Sequence, residues 1–201
     1  MLDFSVMLLY ILLCIEIALR VAIEIRERRL TQLRGGVFAV LRLIPLINDI
    51  VPLPENRREP QKSQFVEKHE EGHRVLRHSI LRNLMKVAFL MVAVWFLAAM
   101  VTRWNSSFFE AILWLHLVAI PFRYFFNWYC WTQEFEADAY AFKELGKQKA
   151  KAAMQELAEC EIPYSKLFAS IYREHPTATL RSARMLKKAI VPVKPVVNNK
   201  G

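Results

Sequence analysis

Three stretches of this chain are apolar at nearly every position. From Phe4 to Leu19 only Ser5 and Glu16 interrupt the run, and helical continuation carries it through Arg20 to Ile25. Val87 to Val101 is uninterrupted, and Leu84, Met85 and Lys86 extend it to spanning length. The third runs from Phe108 to Trp131 and is broken by Glu110, His116, Pro121, Arg123 and Asn127. About 20 mostly apolar residues suffice for a membrane helix, so the pattern predicts three spans. Only residues 103–107 separate the last two, which must form a helical hairpin. Trp104 and Trp114 near one end, and Trp128, Tyr129 and Trp131 near the other, fit interfacial aromatic belts. The first stretch lacks the basic leader and cleavage site of a signal peptide and reads as a retained anchor.

Between the spans the pattern changes. Gly35 to Leu53 is apolar in bulk but contains Arg42, Pro45, Asn48 and Asp49. It reads as an amphipathic or re-entrant segment against the membrane rather than a fourth span. Pro52 to Gln64 is a polar, Pro-punctuated linker. From Gln64 to Met85 no Pro or β-branched run intervenes, which predicts helix leading into the second span. The expected organisation is an anchor with a basic end (1–34), an amphipathic segment and linker (35–63), and a hairpin-containing domain (64–201). Glu16, Arg20 and Glu24, four apart, share a helix face and predict a mutually paired stripe snorkelling near the membrane edge.

Charge then orients the spans. The chain of 201 residues is 54% hydrophobic yet carries a formal net charge of +9. Of its 28 Lys and Arg, 25 lie in residues 26–86 and 132–201, leaving Arg20, Arg103 and Arg123 elsewhere. The positive-inside rule places both long segments in the cytoplasm, with the N-terminus and the 103–107 turn outside. The basic excess is therefore a topology signal; no nucleic-acid motif accompanies it, and none is expected as a partner. The implied location is a cell membrane crossed several times, a bacterial inner membrane fitting the size. Membrane lipid is the first partner. Cys14, Cys130 and Cys160 are too scattered for a disulfide framework or a metal knot.

After the linker stands Lys68-His69-Glu70-Glu71-Gly72-His73, an H-E-x-x-H pattern. Helix positions i and i+4 share a side, so His69 and His73 can bind one ion such as Zn²⁺. Glu70 is then beside the metal, placed as general base for the attacking water. Two histidines leave a zinc site incomplete. The third span runs into Gln133-Glu134-Phe135-Glu136-Ala137-Asp138, and Arg123, Asn127, Trp131, Glu134 and Asp138 project from one face of that helix. The hairpin returns Glu134 to the level of His73, so geometry allows a His-His-Glu site. Asp138, one turn beyond, can orient a ligand histidine. Glu136 points elsewhere and is the weaker candidate. His78 and His116 have no partner pattern and read as a polar-face and a buried-span histidine.

These motifs resemble the membrane gluzincin proteases of the HtpX and CAAX prenyl protease family. H-E-x-x-H is followed after a membrane hairpin by Glu134 and Asp138 in E-x-x-x-D spacing, then by His175-Pro176 and Arg181. Ala139 to Glu159 also looks like that family's helix, glycine turn and second helix, and the likeness covers about residues 64–188. It implies His69, His73 and Glu134 as zinc ligands, Glu70 as general base and Asp138 as a supporting carboxylate. It further implies a His175 that stabilises the oxyanion and an Arg181 in a buried ion pair, although His-Pro also marks ordinary helix starts and Arg181 lies among surface bases. Family members carry a substrate-pairing strand upstream of H-E-x-x-H, for which Gly35–Val40 and Val51–Leu53 are faint counterparts, and usually more spans. The chain would thus be a reduced member.

The expected fold is all-α, with about three transmembrane helices and a cytoplasmic helical zinc-protease core. The expected activity is zinc-dependent cleavage of hydrophobic, membrane-associated proteins or small precursor peptides. A catalytically inactive zinc-binding sensor or scaffold is the alternative; oligomeric state is not readable.

Overall fold

The computed structural model describes residues 4–31, 40–47, 53–54, 56–58 and 63–188, with side chains to Met185. The described residues form seven helices and no named strand: α1 (Phe4–Thr31), α2 (Gln64–Val75), α3 (His78–Thr102), α4 (Phe108–Leu145), α5 (Lys147–Cys160), α6 (Lys166–Tyr172) and α7 (Ala178–Lys188). The all-α expectation holds. Three of them, α1, α3 and α4, are long and apolar enough to cross a membrane. Large apolar side chains such as Met91, Val94 and Trp95 on α3 point outward, as expected of a face that meets lipid.

Polar residues fix where helices begin and end. Ser63 caps α2 through its hydroxyl, and Ser107 with Glu110 forms a reciprocal capping box at the start of α4. Gly146, at φ 81°, ends α4 and starts α5 as the glycine turn expected there. At 38 residues α4 is about 57 Å long, nearly twice a hydrocarbon core of about 30 Å. Its apolar part, 108–131, can span; the remaining turns project beyond and carry Glu134 and Asp138. Against this projection pack α2, α5, α6 and α7. Phe65 of α2 is buried with Ala141, Ala150 and Met154, while Trp131 packs with Ile162, Tyr164, Phe168 and Ala169.

Two expectations are corrected. The helix expected to run through from Gln64 to Met85 is broken at Leu76–Arg77, with Arg77 left-handed at φ 56°. No Pro or Gly marks the break. The charged stripe of α1 is paired, but it faces protein. Glu16, Arg20, Glu24 and Glu27 are all buried. Arg20 donates to Glu16 (2.6 Å), and His116 of α4 lies 2.8 Å from the same carboxylate. Arg42 donates to Glu24 (2.9 Å), and Glu27 accepts the Ser165 backbone N–H (2.7 Å) and its hydroxyl. In low dielectric these charges are costly unless partnered, so they clamp α1 to the rest of the chain.

Of the 35–53 segment, residues 35–39 and 48–52 lie outside the described residues, and with them most of both faint strand counterparts. The described part, 40–47, is a short turn whose Leu46 packs against Leu9, Leu13 and Leu113. Beyond it, Asn56 makes an isolated antiparallel bridge to Glu161, and Arg57 N–H donates to Cys160 carbonyl (2.7 Å).

Candidate metal centre

The spacing of His69 and His73 acts as helix geometry dictates: both rings leave α2 on the side facing α4. What lets α2 approach so closely is Gly72. A Cβ there would lie 3.2 Å from Ala137 Cα and 3.2 Å from Tyr140 Cβ, tighter than ordinary packing. The two backbones therefore nearly touch, and Glu134 reaches both histidines.

His69 Nε2 is 3.3 Å from Glu134 Oε2, His73 Nε2 is 3.2 Å from Oε1, and the two Nε2 atoms are 3.1 Å apart. One ligand atom from each residue lies within 4.8 Å of the others. Two imidazole nitrogens and a carboxylate are a donor set suited to a divalent transition metal, with room for a further ligand. The backs of the rings support the same orientation. His69 Nδ1 is 3.0 Å from Asp138 Oδ1, and His73 Nδ1 is 2.9 Å from His78 Nδ1. Both Nε2 lone pairs are thereby left to converge. The residues present fit a bound metal.

The carboxylates are tuned by burial and by their neighbours. Burial of Glu134, 1% exposed, would raise its pKa, but the imidazoles of His175, His69 and His73 set against it outweigh burial and hold the carboxyl far below its usual range. Asp138 is fully buried; Arg181 donates to both its oxygens at 2.9 and 2.5 Å, and with His69 this overcomes desolvation and keeps it ionised. His69 shifts the other way: burial would lower its pKa, but the carboxylates of Asp138 and Glu134 outweigh burial and raise it.

The structure brings every expected site residue to one place. His175 is 44% exposed in its side chain, with Nδ1 3.1 Å from Glu134 Oε1. Its loop is held from below: Trp131 Nε1 donates to Arg173 carbonyl (3.1 Å), and Asn127 donates to the carbonyls of Ser170 and Ile171. The helix face that the spacing defined, Asn127–Trp131–Glu134–Asp138, is thus the face that carries both loop and site. Glu70 is exposed and lines a cavity of about 240 Å³ with Phe65, Val66, His175 and Arg181. Arg181 is buried against Asp138, with its side chain 14% exposed, rather than lying with the surface bases.

One residue escaped the sequence reading, and His78 was placed wrongly. Arg82 donates to Glu134 (2.8 Å) and Gln133 (2.6 Å); its only signal is a cation just before an apolar run. His78 is 2% exposed, not on a polar face, and Glu136 accepts from its Nε2 at 3.1 Å. The unforeseen break at Arg77 brings them in.

No curated protein and no solved structure compared with the chain gave a match. Residues 39–189 match the family described as Peptidase family M48, a span that includes every residue of the site. With three quarters of its length matched and its donor set assembled, the chain belongs to peptidase family M48, a family of metallopeptidases.

Proposed function

We propose that the chain is a zinc-dependent endopeptidase of the HtpX and CAAX prenyl protease type, cutting membrane-associated polypeptides at the cytoplasmic face. The observation that carries this reading is the convergence of His69, His73 and Glu134 beside a cavity that Glu70 lines. A zinc ion held by those three side chains would supply Lewis acidity to polarise the scissile carbonyl and acidify a water.

The chain's own groups do the rest. Glu70 takes the proton from the attacking water and returns it to the departing amine. His175, with its side chain 44% exposed at the cavity mouth, donates a hydrogen bond to the oxyanion. Asp138 orients His69 through Nδ1, and Arg181 holds Asp138. Location supports the substrate class. Glu134 lies only three residues, about 4.5 Å along the helix, beyond the apolar part of α4. A peptide bond cut there belongs to a substrate anchored in, or lying on, the same bilayer.

Glu70→Gln separates metal from chemistry. That variant retains stoichiometric zinc by elemental analysis and loses cleavage, whereas His69→Ala, His73→Ala and Glu134→Ala lose zinc as well. Mass spectrometry of membrane peptides that accumulate with Glu70→Gln identifies substrates. A normal cleavage rate in Glu70→Gln sinks the mechanism, and stoichiometric zinc in Glu134→Ala sinks the ligand assignment.

A further inference from the structure

His78 and Glu136 have no part in the reaction described above, yet their placement is not casual. We infer that they form a hydrogen-bond relay that fixes the tautomer and direction of His73, so that the site is set to receive metal. The inference rests on the zinc reading and deepens it by naming two positioning residues.

The protons can be assigned in order. The Glu136 carboxylate only accepts, so the His78 nitrogen 3.1 Å from it, Nε2, carries hydrogen. Neutral His78 then has a bare Nδ1. The 2.9 Å contact between His78 Nδ1 and His73 Nδ1 needs one donor, which must be His73. With Nδ1 as the donor, Nε2 is the His73 nitrogen left for a metal, and it faces Glu134 Oε1 and His69 Nε2 across the place where the cation would sit between them. His69 reaches the same state through direct contact with Asp138. Each ligand imidazole thus ends on a carboxylate of α4, one directly and one through a second ring. Outer carboxylates of this kind typically change metal affinity by about 10–100-fold.

The backbone is arranged for this contact. On an unbroken helix residue 78 would sit about 140° around from residue 73, given about 100° per residue, and the rings could not meet. The left-handed Arg77 turns the chain so that they meet edge to face, with centroids 5.0 Å apart. Non-glycine residues adopt that conformation infrequently. A packing role for His78 alone would be met by an apolar side chain; the buried ring instead uses both nitrogens.

The test measures zinc binding by the full chain in detergent, against a competing chelator, together with the visible spectrum of the cobalt-loaded protein. His78→Phe keeps ring volume and removes the acceptor. His78→Asn places an amide oxygen where Nδ1 was. Glu136→Ala removes the end of the relay at a position 61% exposed in its side chain, where folding is not at stake. Expected are a zinc affinity about 10–100-fold weaker with an altered cobalt spectrum in His78→Phe, substantial rescue in His78→Asn, and an intermediate loss in Glu136→Ala. Unchanged affinity and spectrum in His78→Phe overturn the relay while leaving the zinc reading intact. Equal weakening in Phe and Asn variants assigns His78 to packing and also overturns it. If His78→Phe does not fold, Glu136→Ala decides, unchanged affinity counting against the relay. A wild-type chain that binds no zinc removes both readings.

Discussion

The Asp138–Arg181 pair shows how single residues govern the site. Arg181 satisfies both oxygens of a carboxylate that has no exposure at all, and that carboxylate holds His69. Buried pairs often contribute little net stability, but removing one partner strands the other charge, typically at about 3–5 kcal/mol. Arg181→Ala is therefore expected to destabilise the chain by about that much at neutral pH, measured by chemical denaturation. The sign of its pH dependence is fixed. With Arg181 present, the folded pKa of Asp138 lies below its ordinary 3.8, so the pair's stability is held above that pH and lost as pH falls through the lower folded value. Without Arg181 burial dominates, the folded pKa rises, and protonation relieves the variant. The gap between the two proteins should narrow as pH drops below neutrality toward and past 3.8. A gap that widens toward acid contradicts this account.

Between elements, the decisive contact is α2 against α4 at Gly72. Alanine there gains about 1 kcal/mol of helix propensity but pushes on backbone at 3.2 Å, an overpacking cost of about 1–3 kcal/mol. Gly72→Ala should cost at most about 2 kcal/mol of stability on balance while weakening zinc affinity severalfold, because the ligands of α2 move away from Glu134. Gly72→Val should lose both stability and zinc; wild-type affinity in both variants would show that the close approach is dispensable. Much at this scale was legible in the residues. His69 and His73 at i and i+4, Glu134 and Asp138 at i and i+4, and the Gly146 turn follow from helical period and glycine's freedom. The end of α2 did not. Arg77 carries no local signal for φ 56°, since tertiary packing around His78 imposes it. In the sequence His78 reads as a polar-face residue and Glu136 as a weak ligand candidate, and their pairing is missed because it depends on a rotation that periodicity takes to be absent. The α1 stripe was half legible, because i and i+4 spacing pairs Glu16 with Arg20 but cannot say what the helix face meets.

At the scale of the whole molecule, hydropathy marks three helices as able to span, and the charge distribution is the basis for the proposed orientation. Twenty-five of the 28 basic residues lie in the two segments, 26–86 and 132–201, that also hold every residue of the site. The turn between α3 and α4 carries Arg103 alone. A membrane potential negative inside, together with anionic lipid on the cytoplasmic leaflet, favours keeping the basic segments inside. On the topology proposed above, Glu134 would sit at the inner interface, where α4 leaves the bilayer, and the turn at Asn105 would face outward. Both ends can be tested on one chain in which Cys14, Cys130 and Cys160 are replaced by alanine. Asn105 and Lys149 are exposed, so single cysteines placed there are open to reagent from whichever side they occupy. In intact cells a membrane-impermeant maleimide should label Asn105→Cys, and it should reach Lys149→Cys only after permeabilisation. The reverse pattern would put the metal centre on the outer face, and with it a different pool of substrates. Labelling of both positions in intact cells would mean an even number of crossings between them and, because α4 alone separates Asn105 from Lys149, would overturn α4 as a span.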